Sequence, residues 1–250
     1  MVTGGSRGVG AAIVVALAEA GADVVAVSRS EAAVTGARHV RADVTDGREI
    51  EDALRGVEQD VGPIDLLVNN AGAAAAIGPT WLVDPEEWWS DVASSLRGAF
   101  LCSRTVVPSM RERKAGRIVN VASHAGTRPS PYVSGYAAAK AALLNFTESL
   151  AAELAEDGIR VFAVSPGRVR TALTERMVAT DEGRRWLPQM QSGRWLEPEL
   201  GARLVVQLAG GRGDALSGRF LHALDDVDAL VARAGEIAEH DLYVPRLRTS

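Results

Sequence analysis

Short apolar runs rich in β-branched residues alternate with helix-length segments along this chain, and that alternation limits its fold more than any other feature. The runs fall at residues 23–27, 39–42, 64–68, 117–121, 160–164 and 219–221, behind an opening Met1-Val2. Helical stretches lie between them at 9–20, 46–60, 84–113, 136–157 and 197–209, and a last one is expected at 225–239. Asp46 and Asp84 are placed to cap two of these helices, with Pro85 at a first helical position. The alternation predicts one α/β domain, a doubly wound parallel sheet covered by helices on both faces. Such sheets bind ligands beyond the carboxyl ends of their strands. Residues 171–198 are the one long stretch of weak periodicity, polar but carrying Trp186 and Trp195, and loops of that length are usually functional. A lid over the substrate is expected there, and residues 225–250 form a C-terminal extension.

Composition removes several classes of function. A chain of 250 residues that is 47% hydrophobic can bury a sizeable core. Its 32 acidic and 27 basic residues give a net charge of −5 and no basic face for nucleic acid. The single cysteine, Cys102, excludes a disulfide framework and a multi-cysteine metal site, so no metal is expected. No apolar run reaches the roughly 18 residues that span a bilayer, and a cytoplasmic location without a membrane partner is expected. All but two of the basic residues are arginine; the lysines are Lys114 and Lys140.

Thr3-Gly4-Gly5-Ser6-Arg7-Gly8-Val9-Gly10 opens the first helix. Glycines let the backbone turn sharply and approach a ligand closely, and the free N–H groups at the helix start favour an anion such as a pyrophosphate. Asn69-Asn70-Ala71-Gly72 follows the strand-like run at 64–68. Ser123 precedes Tyr136 by thirteen residues, and Lys140 lies four beyond Tyr136, on the same helical face. With three tyrosines and two lysines in the chain, a chance Tyr-x-x-x-Lys is expected only about 0.02 times. Pro166-Gly167-Arg168-Val169-Arg170-Thr171 completes the set.

In this order the four motifs resemble those of the short-chain dehydrogenases/reductases over nearly the whole chain. The resemblance implies hydride transfer between a nicotinamide cofactor and a small carbonyl or alcohol substrate. It gives Tyr136 the role of acid or base, Ser123 a hydrogen bond to the substrate oxygen, and Lys140 the nicotinamide ribose. The Lys140 ammonium is expected to pull the phenol below its usual pKa of about 10. Gly4, Ser6, Arg7, Gly8, Val9 and Gly10 would hold the pyrophosphate end of the cofactor, Asp43 and Val44 its adenine. Asn70, Ala71, Gly72, Pro166, Gly167, Val169 and Thr171 would complete the cofactor site. The loop after the second strand reads Ser28-Arg29-Ser30 where an acidic residue would favour NAD. With Arg7, Arg29 and a hydroxyl from Ser28 it suits the 2′-phosphate of NADP(H).

The sequence departs from the family in three places. Ser95 replaces the usual Asn in Ser95-Leu96-Arg97-Gly98-Ala99-Phe100. In the family that residue sits at a helix irregularity, and its backbone carbonyl holds a water linking Lys to solvent. Any residue supplies that carbonyl, so a working but slower relay is expected. The segment between Arg29 and Asp43 is short, and a turn is expected in place of a helix. Only Met1 and Val2 remain of the first strand; a central strand that short loses ladder bonds and packing, so a natural start upstream is expected.

His124, Trp186 and Trp195 are candidate substrate contacts, with packing as the competing reading for each. The resemblance further implies a homodimer or homotetramer built through the two long helices, and the C-terminal helix could reach a neighbour's site. Two other readings remain: an NADP(H)-binding sensor or scaffold with impaired catalysis, and the same chemistry run on NAD(H).

Overall fold

The computed structural model describes residues 1–30 and 34–247. Seven parallel strands form one sheet in it: β1 (Val2–Thr3), β2 (Val24–Ser28), β3 (Ala37–Arg41), β4 (Leu66–Asn69), β5 (Gly116–Val121), β6 (Ile159–Ser165) and β7 (Phe220–His222). Their order across the sheet is β3-β2-β1-β4-β5-β6-β7, so the direction of winding reverses at β1 and β4. A doubly wound sheet takes its ligand beyond the carboxyl ends of the strands at such a reversal.

Helix caps explain several of the boundaries. Helix α1 (Gly8–Glu19) starts in the glycine loop. Asp46 starts α2 (Gly47–Asp60) by accepting from Arg48 and Glu49 N–H at 2.8 and 3.0 Å. Asp84 does the same for α3 (Pro85–Val92), at 2.9 and 3.0 Å from Glu86 and Glu87 N–H, with Pro85 in the first turn. The expected single helix at 84–113 is two: a π turn over Ala93–Arg97 separates α3 from α4 (Gly98–Arg113). The Ser94 hydroxyl donates to Ser90 O at 2.8 Å beside this turn, competing for a ladder carbonyl. Helix α5 (Ser134–Glu153) begins two residues before Tyr136.

Strand alternation divides the core between the two faces. Val24 and Ala26 of β2 pack with Ile13, Val14 and Leu17 of α1 and with Ala202, Val205 and Leu208 of α8 (Pro198–Ala209). Val25 and Val27 turn the other way, onto Ile50 and Leu54 of α2 and Cys102 and Val106 of α4. Each such buried aliphatic side chain contributes about 1.5–3 kcal/mol relative to exposure. Asn69 and Asn120 join the strands inside the sheet: Asn69 Nδ2 donates to Asn120 Oδ1 at 2.8 Å, and Asn120 Nδ2 donates to Thr147 Oγ1 at 2.9 Å. Cys102 lies in the core with its thiol pushed up to about 12 by burial, a packing residue without nucleophilic character.

Strand β1 is as short as the sequence predicts. Val2 pairs with both Ala26 and Val68, and the buried Met1 amino group donates to Leu66 O at 2.7 Å. Burial pushes that amino group down to about 5. The short connection expected between Arg29 and Asp43 falls partly on residues 31–33, outside the described residues.

The stretch 171–198 is more ordered than its pattern predicts, forming α6 (Ala172–Ala179) and α7 (Asp181–Trp186). A reciprocal Thr171/Thr174 capping box starts α6 and the Thr180 hydroxyl starts α7. The helix expected at 225–239 breaks at Arg233 into α9 (Val227–Ala232) and α10 (Ala234–Glu239). Val227, Leu230 and Ile237 bury these helices against their own sheet. Behind them, Tyr243 O accepts from Phe220 N–H at 2.8 Å and covers the outer edge of β7.

Candidate active site

The glycine loop meets the carboxyl end of β4 where the sheet reverses. The Thr3 hydroxyl accepts from Asn70 and Ala71 N–H at 3.0 and 3.1 Å. Asn70 Nδ2 donates back to Thr3 O and Gly4 O at 3.0 and 3.1 Å. Gly4 and Gly8 hold φ of +62° and +57°, which glycine adopts without strain. A Cβ on Gly10 would stand 2.2 Å from Gly4 O and 2.5 Å from Asn70 Nδ2, so no side chain fits. Ser6, Arg7 and Val9 complete the loop, with Arg7 exposed as the residue preceding α1. A Cβ on Gly8 would lie 3.0 Å from Thr171 Cγ2, which shows how closely the base of α6 approaches the loop. The cradle therefore fits a dinucleotide pyrophosphate: its backbone is open by construction and a helix start faces it.

At the far end of the cradle, Arg29 stands 77% exposed with its guanidinium 3.8 Å from Asp43 Oδ2. Asp43 Oδ1 accepts from the Thr45 N–H and hydroxyl, both at 2.8 Å, and Val44 is buried. Ser28 differs from expectation. Its hydroxyl donates to Ser30 O at 2.8 Å and bonds His39 Nε2 at 2.8 Å, so it is committed within the protein. The pairing of β2 with β3 brings His39 there, a contact that neither strand discloses alone.

Ser123, Tyr136 and Lys140 converge beyond β5. Ser123 follows that strand and caps a short 3₁₀ turn, His124–Gly126. Lys140 is buried, donates to Val121 O at 2.7 Å and lies 5.6 Å from the centre of the Tyr136 ring. Burial lowers its ammonium to about 8. The Tyr136 phenol is shifted up, in the first place by burial of its hydroxyl end. A hydrogen bond with Ser123 opposes the shift, and the carboxylate of Asp91 adds to it. The lowering of this phenol expected from Lys140 is not found: the shift is upward, and the ammonium is not among its causes. Ser95 sits inside the π turn, the helix irregularity that the family resemblance implies. Its buried Oγ accepts and donates no hydrogen bond among the described residues. A Cβ on Gly72 would lie 3.0 Å from that Oγ and 3.5 Å from Lys140 Nζ, so all three groups border one small space.

An apolar wall faces Tyr136. Ala74 and Ile77, after the Asn-Asn-Ala-Gly motif, pack with Val133, with Met177 of α6 and with Leu187; Tyr136, Leu173 and Met190 border the same cluster. Trp186 lies at its rim, 5.1 Å from the ring of Tyr132, whose backbone has a φ of +69°. Trp195 is elsewhere: the guanidinium groups of Arg168 and Arg170 lie 5.5 and 5.0 Å from its ring, and it fastens the base of the loop. Beside it, Gly167 holds φ +81° after Pro166, and Val169 bridges to Leu196. His124 turns away from Tyr136 to pack against Phe220 and His222, at 5.2 and 5.0 Å between ring centres. Burial, then His222 and Arg128, lower its pKa.

The sequence reading missed two groups. Thr3 ties the glycine loop to Asn70. Asp91 accepts from Ala75 and Ala76 N–H at 2.7 and 3.2 Å. A carboxylate among the charged residues of an amphipathic helix gave no signal of burial.

A cradle for a dinucleotide beside a Ser, Tyr and Lys cluster at the crossover of a parallel sheet defines a nucleotide-dependent oxidoreductase. The profile of the short chain dehydrogenase family matches residues 1–182, and the chain belongs to that family. It is 33% identical to the short chain dehydrogenase pigC of Monascus ruber over 258 residues, covering 96% of this chain and 83% of the relative. It is 37% identical to an acetoacetyl-CoA reductase of Shinella zoogloeoides, covering 89% and 95%. Among solved structures, a gluconate 5-dehydrogenase from Burkholderia cenocepacia in complex with NADP and tartrate superposes with a TM-score of 0.79 at 31% identity, over 88% of this chain and 91% of that one. No helix among the described residues is long and apolar enough to cross a membrane.

Proposed function

We propose that this chain is an NADP(H)-dependent reductase that converts a small ketone or aldehyde into an alcohol and can run the reverse oxidation. The observation that carries the reading is the Tyr136 phenol, raised in pKa and flanked by Ser123 and a buried Lys140, at the open end of the glycine cradle. NADPH held by that cradle would supply the hydride. The protein supplies position and a proton. Ser123 donates a hydrogen bond to the carbonyl oxygen, where negative charge develops. Tyr136 gives its phenolic proton to the same oxygen and regains one from solvent through Lys140 and a water that the Ser95 carbonyl would hold. Ala74, Ile77, Val133 and Met177 favour a substrate that is apolar next to its carbonyl. Residues 171–198 act as the lid, with Trp186 at its rim. The chain works as one domain, with residues 225–250 as its extension. A survey of NADPH consumption over ketones, aldehydes, keto acids and acyl thioesters tests the reading; no turnover with any of them would overturn it.

NADP(H) is favoured over NAD(H) because Arg7, in the loop before α1, and Arg29, after β2, both stand exposed and no acidic residue follows β2 directly. Replacing Arg29 by Asp is expected to weaken NADPH binding about 100-fold and NADH binding less than threefold. Isothermal titration of both cofactors measures this, and equal losses would remove the assignment. The π turn forms with Ser95 in place of the usual Asn, which supports a working relay over the impaired-catalysis reading. Ser95→Asn is expected to change kcat by less than about threefold, because the relay uses a backbone carbonyl; a large gain would favour the sensor or scaffold instead. Assembly as a homodimer fits the open groove between α4 and α5, lined by Val107, Pro108, Phe146 and Leu150, with Phe100 47% exposed at its edge.

A further inference from the structure

Asp91 is fully buried, and among the described residues no basic side chain forms an ion pair with it. A carboxylate taken out of water is costly unless its oxygens are hydrogen-bonded. Here both are. Oδ1 accepts from Ala75 N–H and Oδ2 from Ala76 N–H, so two successive backbone amides converge on one carboxylate. Those amides lie between Ala74 and Ile77, whose side chains form the wall opposite Tyr136. Tyr136 packs against that same wall, and the carboxylate adds to the upward shift of its phenol.

We propose that Asp91 is a positioning residue of the substrate site: it clamps the backbone of the apolar wall and fixes a negative charge behind Tyr136. Two consequences follow. The wall keeps its shape while the lid residues Met177 and Leu187 pack and unpack against it. The charge opposes phenolate formation, so Tyr136 stays protonated and ready to donate in the reductive direction. Other groups face this pair from every side. Burial raises the Asp91 carboxyl, its two backbone hydrogen bonds hold it down, Glu87 of α3 raises it further, and Arg176 of α6 opposes that, lying 3.5 Å from Glu87 and donating to Ala75 O at 3.4 Å. On the Tyr136 side stand Ser123 and Lys140.

The role of Asp91 in reduction rests on the proposed function, but its charge can be tested without turnover. The chain has three tyrosines, so ultraviolet titration of the phenols, with Tyr136→Phe as the blank, isolates Tyr136. Asp91→Asn is expected to lower the Tyr136 midpoint by about one pH unit. It should also raise the KM for the carbonyl substrate about tenfold with a smaller change in kcat, because one backbone N–H then faces an amide NH₂. Melting and NADPH binding confirm that the variant is folded. Should it fail to accumulate, Asp91→Ser removes the same charge, keeps one acceptor, and must give the same midpoint shift. A midpoint unmoved in a folded variant overturns the charge role, and an unchanged KM overturns the clamp. A protein that reduces nothing in the carbonyl survey, yet shows the midpoint shift, fails the proposed function and keeps the electrostatic part of this one.

Discussion

Tyr136→Phe is expected to lower kcat for carbonyl reduction about 10³-fold while NADPH binding changes by less than about twofold. General acid catalysis by a positioned side chain contributes roughly 10²- to 10⁴-fold, and the phenol meets both Ser123 and the apolar wall. Phenylalanine keeps the ring that borders Ala74, Ile77 and Met177, so the wall and the lid remain packed. The cofactor cradle is built from the glycine loop and Asn70, away from the phenol. The pH dependence carries the same signature. With its phenol held above the usual value, Tyr136 stays protonated through neutral pH. The reductive rate is then flat there and falls on the alkaline side, whereas the oxidative rate, which needs the phenolate, rises with pH. Stopped-flow NADPH oxidation and fluorescence titration separate the two effects. A variant that retains more than about a tenth of the wild-type rate would take the acid role away from Tyr136.

What the sequence disclosed about this site was chemistry written in short, local patterns. Tyr136 and Lys140 are four residues apart on one helix, so their proximity is a property of the helix. The glycine loop and its helix are contiguous, and the caps at Asp46 and Asp84 are local hydrogen bonds. Contacts made across the fold were hidden. Ser28 meets His39 through strand pairing, which commits a hydroxyl that the sequence leaves free for a phosphate. Asp91 follows two exposed glutamates on α3, and only the return of the chain at Ala75 and Ala76 shows that it points inward. The helices within residues 171–198 were hidden for another reason. Helices α6 and α7 are eight and six residues long, too short to carry a clear hydrophobic period, and they depend on Thr171, Thr174 and Thr180 at their starts. His124 lies next to Ser123 in sequence and Trp195 within residues 171–198, and only the folded chain shows that one packs against His222 and the other under two arginines.

Lys140→Met is expected to abolish turnover and to make the protein more stable. The wild-type ammonium is buried and makes one hydrogen bond, to Val121 O, leaving two N–H groups turned toward the space bordered by Ser95 and Gly72. Its pKa of about 8 in the folded protein lies below the value of about 10.4 in the unfolded chain. The unfolded state therefore binds the proton more tightly, and at neutral pH the charged lysine costs the fold about 3 kcal/mol. Methionine fills a similar volume without that cost, though it leaves Val121 O without its donor, a loss of about 1 kcal/mol. The net gain of about 2 kcal/mol corresponds to a melting temperature higher by about 5 °C for a chain of this size. The sign of the pH dependence is fixed by the direction of the shift. The penalty is full below about pH 8, shrinks as the lysine sheds its proton in both states, and is gone above about pH 10.4. The stability difference between variant and wild type must close over that window. Calorimetry at several pH values measures it, and a gap that is absent at neutral pH or widens with pH would contradict a buried, charged Lys140. Turnover is expected to be lost in the same variant because, in the proposed function, the lysine beside the phenol returns a proton to Tyr136 and steadies the cofactor ribose. In a chain whose other basic residues are nearly all arginine, a destabilising lysine is retained at the one position where a compact, buried ammonium has chemical work.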